Sequence, residues 1–247
     1  MDAVAIIPAR YASTRLPGKP LLAGTGQPLI QHVVEAVRGA KRIRRIVVAT
    51  DDERIAAAVR AFGGETVMTR ADHRTGTDRL AEAADALGLA DDEIVVNVQG
   101  DEPEIPAACV DRLVELLAES GTATAMATLI TPLPAGQADD PNRVKCVTDR
   151  RGRALYFSRA PIPYDRDGGG SVRHMLHLGV YAYRAAFLKR FTRLAPTPAE
   201  TAEKLEQLRA LEHGFAIATA EVRYDGAGID TPEDYAAFVE RVRGPSP

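Results

Sequence analysis

The sequence predicts an α/β protein with a Rossmann-like, doubly wound and mostly parallel sheet that carries a β-rich insertion in its second half. Short apolar runs without polar alternation recur along the first half, as is typical of strands buried on both faces of a parallel sheet. Each run is followed by a segment with helical spacing, and this alternation favours right-handed crossovers. The 247 residues suit a single domain of this kind.

The first half carries the regular alternation. Val4–Ile7 is an apolar run that we expect to end at Pro8, and a helix is expected around Leu29–Val37. Further strands are predicted at 46–50, 66–68 and 94–98, and further helices at 52–62, 77–87 and 106–119.

After Gly121 the alternation becomes irregular. Polar loops separate the strand-like segments, and the segment 165–170, DRDGGG, reads as a surface loop. Strands are predicted at 122–130, 144–148, 154–157, 178–183 and 216–222, and helices at 185–194, at 200–212 and from 232 onward.

Composition excludes several classes of protein. With 45% hydrophobic and 26% charged residues, the chain is neither disordered nor a membrane protein, and a net charge of -3 argues against bulk binding to nucleic acid. The N-terminus lacks a signal peptide, so we expect a cytoplasmic protein. Cys109 and Cys146 are expected to be buried free thiols, and none of the five histidines has a zinc-site spacing.

The ligand site is predicted at the carboxyl ends of the strands, as in other open α/β sheets. Pro8–Lys19, Thr50–Asp52 and Gln99–Asp101 should therefore share one crevice. The first of these segments carries Arg10, Arg15 and Lys19 around a Pro-Gly turn, which suits a polyanion. It lacks the GxGxxG and Walker patterns. The alternative is a solvated basic loop that binds no ligand. The position of this segment directly after the first strand favours phosphate binding instead.

Two carboxylates are candidates for a cation site. Asp101 follows the fourth strand, and Asp230 precedes a Thr-Pro helix start. A triphosphate needs a hard divalent cation, and magnesium takes few carboxylates. Each aspartate also has a purely structural explanation, a turn or helix cap for Asp101 and a helix start for Asp230. Spacing alone does not decide between these roles and metal binding. In the HRTGTD loop, Thr77 is predicted to cap the following helix.

Eight segments between residues 6 and 234 form a recognisable series: IIPARYASTRLPGKPL, VATDDERI, MTRADHRTGTDRLAEA, IVVNVQGDEPEIP, ALYFSRAPIPYDRD, HLGVYAYR, KLEQLRALEHG and GIDTPED. In this order they resemble the 3-deoxy-manno-octulosonate cytidylyltransferase (CMP-KDO synthetase) family. Two departures concern the sugar pocket: Tyr164 stands where Trp is frequent, and the loop between Asp167 and His177 is short.

The resemblance implies a reaction in which CTP and an acidic sugar, KDO, give CMP-KDO and pyrophosphate, activating the sugar for lipopolysaccharide synthesis. It implies Mg²⁺ held by Asp101 and Asp230. A homodimer is expected separately, because isologous dimers are the default for soluble oligomers. Within one nucleotidyltransferase domain the resemblance assigns residues 1–120 to the nucleotide and residues 121–247 to the sugar and to dimerisation. The alternatives are a CMP-sialic acid synthetase-like enzyme and a catalytically silent nucleotide-binding protein.

The resemblance also implies roles for individual residues. Lys19 would offset charge on the departing pyrophosphate, and Gln99 would read the base. The catalytic residues would be Arg10, Arg15, Lys19 and Asp101; the nucleotide-binding residues Pro8, Ala9, Arg10, Lys19, Arg74, Thr75, Gly76, Gln99 and Asp101; and the sugar-binding residues Arg159, His177, Tyr181, Glu206 and Gln207.

Overall fold

A computed structural model describes residues 2–12, 16–122, 124–168, 170, 172–226 and 228–244. The strands are β1 Ala3–Ala9, β2 Ile43–Thr50, β3 Glu65–Met68, β4 Ile94–Asn97, β5 Met126–Pro132, β6 Lys145–Thr148, β7 Ala154–Ser158, β8 Met175–Arg184 and β9 Ile217–Glu221. The helices are α1 Leu29–Arg38, α2 Glu53–Ala61, α3 Gly76–Ala86, α4 Ala107–Glu119, α5 Ala185–Phe191, α6 Pro198–Glu203, α7 Gln207–Glu212 and α8 Pro232–Arg243, with a short 3₁₀ helix at Lys19–Leu21.

All nine of these strands belong to one sheet, in the order β3-β2-β1-β4-β8-β5-β9, and the β6–β7 pair is attached to β8. Strands β3, β2, β1 and β4 are mutually parallel, and β8 runs antiparallel to β4, β5 and β6. The chain therefore builds outward from β1 to β3 and then returns to the other side of β1 with β4. This reversal is the kind of switch point at which open α/β sheets bind ligands.

Helices cover both faces of the sheet. One core cluster joins α1, α2 and α4 to the side chains of Ala5 and Ile7 on β1, and a second joins α3, α5 and α7 to those of Val4 and Ile6. The alternating side chains of β1 thus enter both cores, which explains why its sequence is apolar throughout. The predicted doubly wound, mostly parallel sheet is confirmed.

The two cysteines behave as predicted. Cys109 on α4 and Cys146 on β6 are buried free thiols, and burial raises the pKa of Cys146 to about 12. None of the described helices combines the length and the apolar character that crossing a bilayer would require.

Three sequence-based boundaries were wrong in an informative way. Strand β1 continues through Pro8 to Ala9. Since β4 pairs only with Val4–Ile6, the missing N–H of Pro8 removes no hydrogen bond to β4. The predicted helix 200–212 is two helices, separated by Lys204 with a φ of 55°. The strand predicted from residue 122 begins only at Met126.

Candidate active site

A cleft of about 230 Å³ opens at the carboxyl ends of β1 and β4. Two of the three predicted segments, the one after β1 and the one after β4, line this cleft together. The third does not line it: Asp51 reaches the cleft only through an ion pair of 3.0 Å with Arg79, and Asp52 caps α2. The lining residues are Pro8, Ala9, Arg10, Lys19, Pro20, His73, Thr75, Gly76, Arg79, Gln99, Gly100, Asp101 and Asp230.

Lys19 occupies the centre of the charge arrangement. Its Nζ donates to Asp101 Oδ2 at 2.8 Å and to the Ile229 carbonyl at 2.7 Å, and it lies 3.7 Å from Asp230 Oδ1. The ammonium group is mostly buried, with 13% of the side chain exposed, whereas Asp230 is 48% exposed. One cation therefore brings together two carboxylates that come from distant parts of the chain.

The loop after β1 is shaped by a glycine and an aromatic ring. Gly18 has a φ of 68°, and a Cβ at that position would lie 3.2 Å from the ring of Tyr11. The Gly18 N–H donates to the Tyr11 carbonyl at 3.0 Å, and the Arg54 guanidinium lies 3.4 Å from the centre of the Tyr11 ring. These contacts fix the turn that presents Lys19. Arg15 lies outside the described residues, so its predicted role stays a prediction.

The N-terminus of α3 faces the same cleft. Thr75, and not the predicted Thr77, is the N-cap: Thr75 Oγ1 accepts from Asp78 N–H at 3.2 Å, and the Asp78 carboxylate accepts from the Thr75 N–H in return. At Gly76 a Cβ would lie 3.6 Å from the Pro8 side chain and 4.0 Å from Gln99 Oε1. A helix N-terminus carries positive potential and suits anions.

Thr77 connects the cleft to the residues predicted to bind the sugar. Freed from capping, the Thr77 hydroxyl donates to Glu206 Oε2 at 2.8 Å. Burial raises the pKa of Glu206, opposed by this hydrogen bond. Gln207 beside it is 5% exposed, and its Nε2 has no hydrogen-bond partner within the described part of the chain. Buried amide groups are usually satisfied, so this one is suited to receive a ligand.

His177 and Tyr181 lie on β8 in a row of rings. The His177 ring centre lies 4.9 Å from that of Phe157 and 5.4 Å from that of Tyr181, and its Nε2 lies 3.1 Å from Thr128 Oγ1. Burial lowers the pKa of His177 to about 3, so the imidazole is neutral at physiological pH. Tyr181 pairs with Asn97 across β4 and β8, which places this row of rings next to β4, two residues before Gln99.

Two predicted cations, Arg159 and Arg74, lie outside the cleft. Arg159 follows β7, where its Nε donates to the Glu203 carbonyl at 2.7 Å and its Nη1 to the Pro141 carbonyl at 2.8 Å. Arg74 lines a neighbouring depression with Arg70 and Arg193. The structure therefore does not bring these two cations to the residues around Lys19.

Sequence reasoning missed three residues of the cleft wall: Pro20, His73 and Arg79. His73 pairs with Glu82, and Arg79 is 4% exposed and bonds Thr69 as well as Asp51. An arginine on the apolar stripe of α3, beside Leu80, was the available signal for Arg79. His73 carried no comparable signal, because its orientation depends on the tertiary contact with α3.

Glu102 is a further acidic group at the end of β4. Burial raises its pKa to about 7; the charges of Asp101 and Asp230 add to this effect, and a hydrogen bond from Tyr224 opposes it. Among the described residues no group of three or more His, Cys, Asp or Glu side chains could hold a metal ion. Asp101 and Asp230 form a pair of carboxylates, and both face the Lys19 ammonium group.

A mostly parallel sheet with a ligand cleft at its switch point is typical of nucleotide-binding α/β proteins, and residues 4–219 match the family described as cytidylyltransferase, a class of nucleotidyltransferase. The chain belongs to the cytidylyltransferase family. It is 55% identical over 241 residues to a 3-deoxy-manno-octulosonate cytidylyltransferase from Syntrophobacter fumaroxidans, covering 97% of this chain and 96% of the relative. It is 50% identical over 252 residues to the enzyme of that name from Halorhodospira halophila, covering 96% of each.

A solved structure supports the same assignment. It is described as CMP:2-keto-3-deoxy-manno-octonic acid synthetase complexed with CTP, and its TM-score to this chain is 0.93 at 44% identity. The similarity covers 98% of this chain and 99% of that structure. The resemblance found in the sequence motifs is thereby confirmed.

Proposed function

We propose that this protein transfers CMP from CTP to the anomeric hydroxyl of 3-deoxy-manno-octulosonate, giving CMP-KDO and pyrophosphate for lipopolysaccharide synthesis. The observation that carries the proposal is the meeting of Lys19, Asp101 and Asp230 in the cleft between the ends of β1 and β4. The identity of about half of all positions with two relatives of that name supports the choice of sugar.

The nucleotide is proposed to occupy the cleft itself. Pro8 and Ala9 would border the cytidine, and Gln99 would read the base from the end of β4. Arg10, Arg15 and Lys19 would bind the triphosphate, and Lys19 would stabilise the departing pyrophosphate. Thr75 and Gly76 at the start of α3 also line the cleft, and the Gly76 N–H would add a main-chain donor for the nucleotide.

The residues present fit a magnesium ion. Asp101 and Asp230 both direct a carboxylate oxygen toward the Lys19 ammonium, so their oxygens lie around a single point, and magnesium is commonly held by one or two carboxylates plus substrate phosphates. We propose that these two side chains hold it. When bound, the cation would neutralise phosphate charge and polarise the phosphoryl group.

The sugar is proposed to bind beyond the cleft, in the second half of the chain. His177, Tyr181, Glu206 and Gln207 offer a neutral imidazole, a phenol, a carboxyl and an amide to sugar hydroxyls. Thr77 connects this group to the start of α3. Arg159 would pair with the sugar carboxylate, which requires it to reorient from its main-chain partners. On this scheme residues 1–120 bind the nucleotide, and residues 121–247 bind the sugar and form the dimer.

Pyrophosphate release tests the reaction. Purified protein with CTP and Mg²⁺ should release pyrophosphate with KDO and not with sialic acid. Asp101→Asn and Asp230→Asn should each lower turnover by at least about 100-fold, because a metal supplies several kcal/mol of charge stabilisation. Asp92→Asn, an exposed carboxylate before β4, is the matched control.

Each outcome has a clear meaning. Activity with sialic acid alone would contradict the sugar, and absence of activity with every acidic sugar would favour a silent nucleotide-binding protein. Near-normal turnover of either asparagine variant at limiting magnesium would contradict its role as a ligand.

We also propose that the protein acts in the cytoplasm as a homodimer formed through its second half. Strand β7 pairs only with β6 among the described strands, and Leu155 on it is 61% exposed. Tyr164, in the loop that follows, is 80% exposed. Sedimentation as a monomer at micromolar concentration would contradict the dimer.

A further inference from the structure

Glu102 and Tyr224 form a hydrogen bond that none of the roles above uses. The Tyr224 hydroxyl donates to Glu102 Oε2. Glu102 directly follows Asp101, and Tyr224 lies after β9 in the segment that leads to Asp230. The bond therefore joins the two parts of the chain that carry the two carboxylates.

The segment before Asp230 follows Glu102 closely. At Gly228 a Cβ would lie 3.2 Å from Glu102 Oε1, so the main chain passes directly beside this carboxyl group. The next residue, Ile229, donates its N–H to the Asp101 carbonyl at 2.9 Å. Glu102 thus touches the segment at Tyr224 and at Gly228, and Asp230 follows two residues later.

Lys19 holds the same segment from the other side. Its Nζ donates to the Ile229 carbonyl at 2.7 Å and to Asp101 Oδ2 at 2.8 Å. When a triphosphate draws this ammonium group toward its oxygens, the contacts of Glu102 still hold the segment in place. Two like-charged carboxylates need such support, since they repel each other until a cation binds.

We infer that Glu102 and Tyr224 are positioning residues that hold the Asp230 segment against the end of β4, so that Asp101 and Asp230 meet around one divalent cation. The inference rests on the proposed function, because the cation is the Mg²⁺ of the proposed reaction. Neither residue needs to touch substrate. They would act through the residues that bind the metal, and mutation of such indirect partners commonly changes metal affinity or activity by roughly 10–100-fold.

Magnesium binding separates this role from a merely structural one. Mg²⁺ is titrated calorimetrically into protein with CTP, against a blank of CTP alone. Tyr224→Phe should weaken Mg²⁺ binding about tenfold. Glu102→Ala should weaken it at least as much, because it also removes the contact with Gly228, and the double variant should lose no more than Glu102→Ala alone. Tyr156→Phe on β7 is the matched control and should bind Mg²⁺ as the wild type does.

Glu102→Gln tests which property of the side chain acts. Glutamine keeps an oxygen that accepts from the Tyr224 hydroxyl, so this variant should rescue most of the Mg²⁺ affinity that Glu102→Ala loses. A loss equal to that of Glu102→Ala would show that the charge acts, and would overturn the positioning role. Unchanged Mg²⁺ affinity in Tyr224→Phe, with only a lower free energy of unfolding in urea, would overturn it as well.

Mg²⁺ binding by the wild type shows whether the proposed function fails or only the positioning role of Glu102 and Tyr224. If the wild type shows no Mg²⁺ binding in the presence of CTP, the proposed function fails and the inference fails with it. If the wild type binds Mg²⁺ and all variants bind it equally, only the inference fails.

Discussion

Lys19 illustrates how one side chain organises the cleft. Its ammonium group compensates Asp101 and Asp230 and also fixes the main chain at Ile229. A lysine in this place can exchange its carboxylate partners for phosphate oxygens, because it is a compact charge on a flexible stem. The same residue would thus prepare the site before the substrate binds and stabilise charge during the reaction.

His177 leads to a prediction about stability at low pH. Its pKa is lowered by burial from 6.5 to about 3, so at intermediate pH the unfolded chain binds a proton that the folded protein does not. The stability contribution is complete above pH 6.5 and is lost as the pH falls toward 3. His177→Gln removes this linkage while keeping a polar side chain.

Urea unfolding of the wild type and the variant at several pH values measures the effect. The free energy of unfolding of the wild type, minus that of His177→Gln, should decrease as the pH falls below 6.5, by up to about 1.4 kcal/mol per pH unit. A difference that is independent of pH between 6.5 and 4 would contradict a buried neutral imidazole.

The residues of the cleft were predictable where they lie at the carboxyl end of a strand or in the loop that follows it. Pro8, Lys19, Gln99 and Asp101 were all expected there, since the carboxyl ends of parallel strands share one edge. Arg79 was not, because its place depends on the rotation of α3 about its axis and on the pairing with Asp51. Arg74 was expected in the cleft but lines the neighbouring depression.

At the level of elements, the break between α6 and α7 shapes the predicted sugar site. Lys204 ends α6 in the left-handed region, and Arg209 on α7 folds back to donate to Glu200 on α6, with Nε at 2.8 Å from Oε2. A continuous helix would point Glu206 and Gln207 in other directions. Local helical spacing could not reveal this break, because a tertiary ion pair stabilises it.

Lys204→Gly tests the conformation of this break. Glycine adopts a positive φ without the Cβ penalty, so the variant should be more stable by up to about 1 kcal/mol in urea unfolding, after its larger entropy loss on folding. Lys204→Ala keeps the Cβ and is the matched control, for which no gain is expected. A gain of equal size in both variants would show that the lysine side chain, and not the backbone, is unfavourable there.

Strand–helix alternation was predicted more accurately in the first half than in the second. Strands β1 and β4 and the second half of β2 are buried on both faces, so their apolar runs stand out in the sequence. Strand β8 is partly exposed over its first residues, and it begins at Met175, three residues before the predicted Leu178. Its extent is set by pairing with β5 and β6, which spacing along the chain does not encode.

For the whole molecule, the order β3-β2-β1-β4 explains why one site forms from so many segments. The return of the chain to the other side of β1 leaves a crevice between β1 and β4, and the segment before α8 closes it with Asp230. Antiparallel β8 then brings Tyr181 alongside Asn97 of β4, while His177 on the same strand pairs with Ile130 of β5. The residues proposed for the nucleotide at the end of β4 and those proposed for the sugar on β8 thereby belong to adjacent strands of one sheet.

Phosphorus NMR of a single reaction mixture tests the central claim most directly. With wild-type protein, CTP, KDO and Mg²⁺, the account predicts that the three CTP resonances are replaced by a new phosphodiester resonance of CMP-KDO and by pyrophosphate, one of each per CTP consumed. Formation of CMP and pyrophosphate without the phosphodiester, or no loss of CTP, would contradict the transfer of CMP to the sugar.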